Sequence, residues 1–381
     1  MGEARYMGGE PVKRLLNCVF TESICQLRCH YCYVGQTQAH VARSTPNSHS
    51  VAEMRNALSY ERLGGRCHMN MCAVGETLLV PEVLALARAF IEEGHLVTLV
   101  TNALARREIE EICNWERDYK DNTFIKVSYH YLQLRDKGLK NLFWQNVHLL
   151  EASGISYTVE LTVNDNSVPL IDEILQECSE ELGVPCHVIE SRRQDGIDWP
   201  RLTQLQVSEH QSAWGRFNSS LFVFQQTIWG QKRREFCYAG DWIASVNMKT
   251  GELVPCFGGG HLLDNIYEHP DRPINFQAIG HACPWGHCYA GYVLLSFGAI
   301  PEIDTPTYAS LRDRESTAGK HWLQAPIRKS FSGKLHKMNH LYSSSRQVWT
   351  NFVMDSVYRR TVAPPRETRA HRRWQSRNRQ M

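Results

Sequence analysis

The sequence lacks long apolar runs. No window of about 18 consecutive apolar residues occurs among its 381 residues, so no membrane-spanning helix is expected. The first ten residues are polar and carry no apolar stretch typical of a signal peptide. With 43% hydrophobic and 22% charged residues, wholesale disorder is excluded. We therefore expect a cytoplasmic globular protein with no membrane partner, and at about 150 residues per domain its length allows two or three domains.

Net charge is also small, because 42 Lys and Arg stand against 40 Asp and Glu, but the distribution is uneven. The stretch from Arg359 to Arg379 contains eight arginines and one acid, Glu367, and so carries +7. With +2 overall, the remainder carries −5. A body of this charge does not favour nucleic acid as a partner. The basic end is interpreted as a solvated, disordered tail, with an arm for an anionic partner as the alternative.

Cysteine, in contrast, is abundant. The chain has 13 cysteines, an odd number, and a reducing compartment argues against a disulfide framework. Metal-binding or catalytic thiols are expected instead. No internal repeat and no long low-complexity tract accompanies them.

The first half of the chain alternates strand-like and helix-like patterns at a spacing of about 30 residues, which is typical of βα units with a parallel sheet. Ser50 and Glu53 form a capping box that predicts a helix through Leu63, and a second helix is expected over 106–119. Six units are too few for a closed eight-fold barrel, so the pattern predicts an α/β partial barrel or an open sheet with its ligands at the carboxyl ends of the strands. The predicted strands are 15–21, 67–74, 96–100, 124–129, 155–163 and 186–190.

Directly after the first predicted strand lie Cys25, Cys29 and Cys32, with the spacing C-x3-C-x2-C. With cysteines placed at random, this triple spacing is expected roughly 0.015 times in such a chain. Three thiolates on one tight loop suit three corners of a cubane iron–sulfur cluster and leave one iron open for a substrate. The alternative is a zinc knuckle with His30 or a distant residue as the fourth ligand.

These cysteines, with Tyr31 just before the third, resemble the signature of the radical S-adenosylmethionine (SAM) superfamily. The resemblance implies a partial (β/α)6 TIM-like barrel and a 4Fe–4S cluster held by the three cysteines, with SAM bound at the free iron. It also implies reductive cleavage of SAM to a 5′-deoxyadenosyl radical, which abstracts a substrate hydrogen. A flavodoxin or ferredoxin-type electron donor is the implied partner.

Two further segments support the resemblance. After the second predicted strand, Gly75 and Glu76 match two positions of the family's Gly-Gly-Glu-Pro motif, which binds the SAM amino group. The residues on either side depart from that motif, and a buried capping glutamate is the alternative interpretation. At the end of the third strand, Asn102 belongs to a Thr-Asn pair like the family's Thr-Asn-Gly, with Ala103 in place of glycine.

The fourth predicted strand adds Ser128, which resembles the serine that often contacts the SAM carboxylate. Two residues later, where relatives commonly carry an acid, this chain has His130. The resemblance therefore assigns SAM contacts to Tyr31, Gly75, Glu76, Asn102 and Ser128.

A second group of cysteines lies in the C-terminal part: Cys237, Cys256, Cys283 and Cys288. With Gly251, the first two resemble the opening of the SPASM module or its shorter twitch form, which implies an auxiliary 4Fe–4S cluster held by all four. Residues 249–252 predict a hairpin turn between strands 243–248 and 253–255. The alternative is a structural zinc site.

The predicted organisation has four parts: a radical SAM barrel (1–200), a connecting segment (201–235), a twitch/SPASM-like module (236–298) and a C-terminal extension (299–381). Because Cys25 lies close to the first residue, no leader-peptide-binding domain is expected before the barrel. The six remaining cysteines are expected to be small buried residues, and the aromatic residues between 199 and 229 to be core. These cysteines and aromatic residues are Cys18, Cys67, Cys72, Cys113, Cys178, Cys186, Trp199, Trp214, Phe217, Phe222, Phe224 and Trp229.

The expected function is hydrogen abstraction from an unactivated C–H bond of a peptide side chain or a sugar-like metabolite, leading to oxidation, epimerisation or cross-linking. The alternative is a zinc-stabilised module that binds nucleic acid or another anionic polymer through the Arg-rich end. No catalytic residue is assigned, since sequence does not supply the geometry that a base needs. The candidate acids and bases are Tyr33, His130, Glu160, Glu190, Arg192 and Asp241.

Overall fold

A computed structural model describes residues 11–37, 47–194 and 198–361. The Arg-rich end from residue 362 onward, for which the sequence predicts disorder, lies outside the described residues.

Within the described residues, nine strands form one sheet in the order β6-β5-β4-β3-β2-β1-β7-β8-β9. β1 to β6 are parallel, and each lies beside its neighbour in the chain. This order is that of a β/α barrel, whereas in a doubly wound sheet the order reverses at a switch point. The prediction of a partial (β/α)6 barrel is confirmed. The strands are β1 (Arg14–Phe20), β2 (Cys67–Ala73), β3 (Leu96–Thr101), β4 (Thr123–Tyr129), β5 (Ser156–Thr162), β6 (His187–Ile189), β7 (Ile243–Asn247), β8 (Glu252–Val254) and β9 (Asp264–Asn265).

Helices connect the strands and cover the outer face of the sheet. Within the same residues, no helix is both long enough and apolar enough to cross a membrane. The α-helices are α1 (Tyr33–Thr37), α2 (Val51–Ala57), α3 (Tyr60–Leu63), α4 (Val83–Glu92), α5 (Arg106–Cys113), α6 (Arg117–Asp121), α7 (Tyr131–Asp136), α8 (Lys140–Ala152), α9 (Ile171–Leu182), α10 (Val207–Gly215), α11 (Ser220–Ile228), α12 (Gly291–Leu294), α13 (Tyr308–Arg312), α14 (Ala325–Phe331) and α15 (Ser344–Thr361).

Two predicted helices are interrupted. The capping box of Ser50 and Glu53 is present and begins α2 as predicted. The helix does not continue to Leu63, because Ser59 accepts a hydrogen bond from the Arg62 backbone and begins α3 as a new N-cap. The predicted helix over 106–119 likewise divides into α5 and α6.

The predicted hairpin is present as β7 and β8, which pair antiparallel. Gly251 occupies its turn with φ of 78°, in the left-handed region that favours glycine. β7 also pairs in parallel with β1, so the C-terminal cysteine segment and the barrel share one sheet. Asn17 and Ser245 join the two strands through a side-chain hydrogen bond of 3.1 Å.

The segment after the second cysteine group packs against the amino ends of the barrel strands. Phe297, Tyr308 and Phe331 form a ring cluster, with the Tyr308 ring 4.6 Å from Phe297 and 4.8 Å from Phe331. Phe331 also contacts Phe124 of β4 at 5.2 Å and His68 of β2 at 5.1 Å. This part of the predicted C-terminal extension therefore contributes to the barrel core.

Candidate active site

A cavity of about 540 Å³ opens at the carboxyl ends of the barrel strands. Its wall contains the ends of five successive strands, at Ala73, Thr101, Ser128, Thr162 and Ile189. This is the edge at which β/α barrels bind their ligands. The cavity is therefore the candidate active site.

Cys25, Cys29 and Cys32 all line this cavity. Their loop turns tightly, since the Cys32 backbone donates a 3.0 Å hydrogen bond to the Cys29 carbonyl, and α1 begins at the next residue. Burial raises the pKa of Cys25, and the neighbouring Cys32 raises it further. Burial raises the pKa of Cys29 to about 12, and Cys32 and Cys25 contribute to the rise. The three thiols are thus electrostatic neighbours at one edge of the cavity.

The turn after β2 holds this loop through its backbone. The Gly75 N–H donates to the Glu22 carbonyl and the Glu76 N–H to the Ile24 carbonyl, both at 2.7 Å. A Cβ on Gly75 would lie 2.0 Å from the Ile24 oxygen, so glycine is required here for close approach. The structure brings the predicted Gly75 and Glu76 directly against the segment that leads to Cys25.

The Glu76 carboxylate, which is 3% exposed, is held by protein donors. It accepts hydrogen bonds from Thr101 Oγ1 at 2.6 Å, the Asn102 N–H at 2.7 Å and the Leu78 N–H at 3.1 Å. Burial raises its pKa, and these hydrogen bonds oppose the rise. The geometry is that of a buried capping glutamate. Since a carboxylate has about four acceptor positions, about one is left for a ligand.

Asn102 joins the end of β3 to the cysteine loop. Its Nδ2 donates to Gln26 Oε1 at 3.1 Å and lies 3.7 Å from Cys25 Sγ. Ala103, which occupies the glycine position of the family pattern, has φ of 57°. The left-handed region costs a residue with a Cβ roughly 1–2 kcal/mol, and Asn146 stabilises this turn by donating to the Ala103 carbonyl at 2.8 Å.

Tyr31 and His130 form a buried pair, with 2.8 Å between Tyr31 Oη and His130 Nδ1. Burial lowers the pKa of His130 to about 4, so its ring is neutral and can accept the tyrosine proton at Nδ1. Ser128 lines the same cavity, two residues before His130. The departure from the family pattern at position 130 thus produces a tyrosine–histidine hydrogen bond.

Five of the six candidate acids and bases line the cavity, namely Tyr33, His130, Glu160, Glu190 and Arg192. The sixth, Asp241, is not among the lining residues, and we correct that candidate. It lies 3.3 Å from the Arg14 guanidinium and accepts a 2.8 Å hydrogen bond from the Tyr342 hydroxyl. These contacts fix the amino end of β1 to the C-terminal part of the chain.

Glu190 is already occupied by protein donors. Its carboxylate accepts hydrogen bonds from Gln226 Nε2 at 2.6 Å and from Arg201 Nε at 3.1 Å. His210 Nε2 lies 3.1 Å from both of its oxygens. Because protein donors already occupy its acceptor positions, Glu190 is better described as a support for the cavity wall.

Arg192 lies among aromatic rings at the cavity wall. Its guanidinium is 3.9 Å from the centre of the Tyr289 ring, 4.8 Å from Trp199 and 5.3 Å from Tyr33. Such stacking keeps the charge in a fixed position while leaving its edge available to a polar group. Trp199 is buried, as predicted, but it also supports this residue of the cavity.

Sequence reasoning missed Lys126 as a residue of the cavity. A signal was present, because Lys126 lies in the middle of an apolar strand and has the same parity as Ser128. Alternate residues of a strand share one face, so a charged residue in register with a cavity residue must itself point into the barrel.

The fold also brings the thiols of the second cysteine group close together. Burial raises the pKa of Cys237, Cys256, Cys283 and Cys288, and it raises that of Cys256 to about 12. Cys237, Cys283 and Cys256 each raise the pKa of Cys288 further, which shows that the four thiols are neighbours. Lys232 holds the segment by donating to the Cys283 carbonyl at 2.6 Å.

The 13 cysteines, which all lie in the described ranges, are free thiols. Across those ranges, no group of three or more His, Cys, Asp or Glu side chains has the geometry of a metal-ion site. The donor set of the first group nevertheless fits an iron–sulfur cluster, since three soft thiols border a cavity with room for a ligand. Both ligand sets stay predictions.

The expectations for the other cysteines and for the aromatic residues are confirmed in the main. Cys18, Cys67, Cys178 and Cys186 are buried. Cys72 and Cys113 are only half-buried, and Cys72 lines the cavity and donates to Asn17 Oδ1 at 3.3 Å. The buried aromatic residues are Trp199, Trp214, Phe217, Phe222 and Phe224, whereas Trp229 lines the cavity.

Comparison with known proteins finds no matching family model and no matching curated protein. Similar solved structures do exist. The structure of anSMEcpe with bound AdoMet and the peptide Cp18Cys is 12% identical, covers 67% of this chain and 78% of that chain, and has a TM-score of 0.45. SuiB of Streptococcus suis bound to S-adenosylmethionine is 13% identical, with coverage of 68% and 62% and a TM-score of 0.43. BtrN in complex with AdoMet and 2-DOIA is 14% identical, with coverage of 68% and 80% and a TM-score of 0.30. Identities and TM-scores this low decide nothing about the chemistry of this chain.

Proposed function

We propose that this chain is a radical SAM enzyme, which holds a 4Fe–4S cluster through Cys25, Cys29 and Cys32 and binds SAM beside it. One observation carries the proposal: these three cysteines lie on one loop at the carboxyl end of the first barrel strand, and all three line the same cavity of about 540 Å³. A loop with three thiols and a cavity at its side suits a metal centre that keeps one position open for a ligand.

When bound, the cluster would supply the electron for the reductive cleavage of SAM, and the 5′-deoxyadenosyl radical formed from SAM would abstract a hydrogen from a C–H bond of the substrate. The chain's own part is to position the ligands and exclude water. Gly75 and Glu76 fix the cysteine loop through backbone hydrogen bonds, and Asn102 braces it from β3. Glu76, with about one acceptor position left, is the proposed partner of the SAM ammonium group.

The remaining proposed SAM contacts are Tyr31 and Ser128. Both line the cavity, and the Tyr31 hydroxyl is fixed by its hydrogen bond to His130. A flavodoxin or ferredoxin-type protein is the proposed electron donor. The proposed substrate is a peptide side chain or a sugar-like metabolite, and the reaction an oxidation, an epimerisation or a cross-linking.

The second cysteine group is proposed to hold an auxiliary 4Fe–4S cluster. Its support is that Cys237, Cys256 and Cys283 each raise the pKa of Cys288, so the four thiols are neighbours. Four thiolates are the ordinary ligand set of a fully ligated cluster.

Anaerobic reconstitution with iron and sulfide tests the function. We expect about eight iron atoms per chain, four for each cluster, and 5′-deoxyadenosine that forms only when SAM and a reductant are both present. The Cys29→Ala variant should lose about half of the iron and all 5′-deoxyadenosine. The Cys256→Ala variant should lose about half of the iron and still cleave SAM.

Cys72→Ala is the matched control, since Cys72 lines the same cavity but lies on β2 and belongs to neither cysteine group. It should keep the full iron content. Iron near zero together with stoichiometric zinc in the purified protein would falsify the proposal and favour the zinc-stabilised module.

A further inference from the structure

The barrel interior beyond the cysteine loop is polar. In closed β/α barrels this space is filled mainly by layers of branched apolar side chains. Here, five strands direct polar side chains into the cavity, which indicates that it receives a polar molecule rather than serving as packed core. These residues include Asn17, Asn70, Lys126, Glu160, Thr162 and Ser245.

Three of the uncharged members, Asn17, Asn70 and Ser245, form hydrogen bonds with one another. Asn70 Nδ2 donates to Asn17 Oδ1 at 2.7 Å, and Asn17 Nδ2 donates to Ser245 Oγ at 3.1 Å. They form a hydrogen-bonded row across β2, β1 and β7, and they carry no charge for a ligand to balance.

The positive and negative charges in this part of the barrel do not cancel. The Glu160 carboxylate is shared by two cations: Lys126 Nζ lies 3.3 Å from Oε2, and Arg312 pairs with Oε1. Exposed side-chain fractions are 16% for Lys126, 2% for Glu160 and 0% for Arg312. The triad therefore places one excess positive charge in a poorly solvated part of the barrel, where an uncompensated charge is costly.

The described residues around the triad do not supply the missing anion. The Arg312 guanidinium faces the rings of Tyr308 at 4.9 Å and Tyr292 at 5.2 Å, and Lys126 faces Tyr292 at 5.8 Å. Arg312 Nε and Nη2 have no hydrogen-bond partner among the described residues. Burial lowers the pKa of Lys126, but Glu160 and the tyrosines raise it above its ordinary value, so the ammonium is charged.

Lys126 is the cation of the triad that a ligand can reach, because it lines the cavity while Arg312 is not among the lining residues, and it is the most exposed of the three. It precedes Ser128 by two residues on β4, so its backbone lies about 7 Å deeper in the barrel. A group on Lys126 would therefore lie deeper in the barrel than one on Ser128, which is a proposed SAM contact.

Resting on the proposed function, we propose that Lys126 binds a carboxylate of the substrate, which makes the substrate an organic acid rather than a neutral sugar. A monoanion neutralises the single excess charge of the triad, whereas a phosphate dianion would leave a negative charge in its place. The carboxylate could belong to a free acid or to an acidic side chain of a peptide.

Ligand-observed NMR on the reconstituted, SAM-loaded protein tests this, with butyrate as the free-acid probe and N-acetyl-aspartyl-amide as the peptide probe. Butyramide and sulfate serve as the neutral and dianionic comparisons. We expect at least one carboxylate probe to bind at least about tenfold more tightly than butyramide and sulfate, and the tighter of the two carboxylate probes identifies the source.

In the Lys126→Met variant, carboxylate binding should weaken at least about tenfold, while SAM affinity and 5′-deoxyadenosine formation without substrate stay unchanged. The variant should fold, because it leaves Arg312 and Glu160 as a neutral pair. Lys320→Met, which removes an exposed lysine at the surface, is the charge-matched control and should bind as the wild type does.

Three results would overturn the inference: no carboxylate probe binds the wild type more tightly than butyramide does, Lys126→Met binds the probes unchanged, or Lys126→Met loses SAM affinity. The last would place the SAM carboxylate, not that of the substrate, on Lys126. Failure of the proposed function is a separate outcome, since it appears as missing iron and missing SAM cleavage in the wild type.

Discussion

Replacing Gly75 by alanine tests whether the turn after β2 positions the cysteine loop. The new Cβ would lie 2.0 Å from the Ile24 oxygen and 2.6 Å from the Ser23 carbonyl carbon. Because ordinary van der Waals contact begins at 3.4 Å, the loop or the turn has to move by about 1.4 Å. Both contacts are to backbone, so no side-chain rotation can relieve them.

The expected loss of stability follows from the hydrogen bonds that this movement breaks. Two backbone hydrogen bonds join the turn to the loop, from Gly75 to Glu22 and from Glu76 to Ile24. At about 1 kcal/mol each, their loss amounts to about 2 kcal/mol. If the loop does not yield fully, overpacking adds about 1–3 kcal/mol. We therefore expect Gly75→Ala to lose about 2–5 kcal/mol of unfolding free energy.

Urea unfolding followed by tryptophan fluorescence measures this loss, and iron content after reconstitution reports the geometry of the loop. Gly35→Ala is the matched control, since Gly35 lies in α1 just after the cysteines and a Cβ there meets nothing within 4 Å. It should be neutral or slightly stabilising. If Gly75→Ala unfolds like Gly35→Ala and binds as much iron, the turn does not position the loop and the reasoning is wrong.

Three further predictions concern other parts of the barrel. Arg312→Met removes a buried partner of Glu160, so we expect it to lose about 3–5 kcal/mol of unfolding free energy, measured by urea unfolding. The double variant with Glu160→Gln should regain part of this loss, and losses that simply add would show that the two residues are not coupled. Burial lowers the pKa of His68 to about 3, so between that pH and about 6.5 the unfolded chain binds more protons than the folded one, and stability is lost as the pH falls. From pH 6.5 to pH 5 the wild type should lose about 2 kcal/mol more unfolding free energy than His68→Gln, and equal losses would contradict this origin. Gly251→Ala places a Cβ at φ of 78° and 2.3 Å from a side-chain oxygen of β9, so it should lose about 1–3 kcal/mol of unfolding free energy relative to Gly215→Ala, whose Cβ meets nothing within 4 Å. Equal urea midpoints of the two variants would refute a requirement for glycine at the hairpin.

Much of the barrel could be predicted from the sequence because its signals are local. Each βα unit repeats an apolar strand and a helical pattern, and the chain order of the strands then follows from short connections. The helix after Ser50 was predicted too long, because Ser59 looks like an ordinary polar helix residue until its side chain is seen to cap a new helix. A serine within a helical pattern is ambiguous in this way.

The site was predictable only where its residues follow each other closely. Cys25, Cys29 and Cys32 form a motif on one loop, and the structure places all three at the cavity. The pairing of Arg312 with Glu160 joins residues 152 positions apart, and that of Asp241 with Arg14 joins residues 227 apart. No local pattern reports such contacts, so sequence reasoning wrongly includes Asp241 among the candidate site residues. Lys126 is a different case, because its parity with Ser128 on β4 is a local signal of its place in the cavity.

Because β1 lies between β2 and β7, it lacks one neighbour until the ribosome has synthesised β7. Asn17 and its hydrogen-bond partner Ser245 are 228 residues apart. At about 5–20 residues per second, the ribosome adds β7 about 10–50 seconds after β1. During this interval one edge of an apolar strand is unpaired, and such edges are sites of aggregation. The same pairing that joins the two cysteine segments in the finished protein therefore makes the nascent barrel vulnerable until its last neighbour arrives.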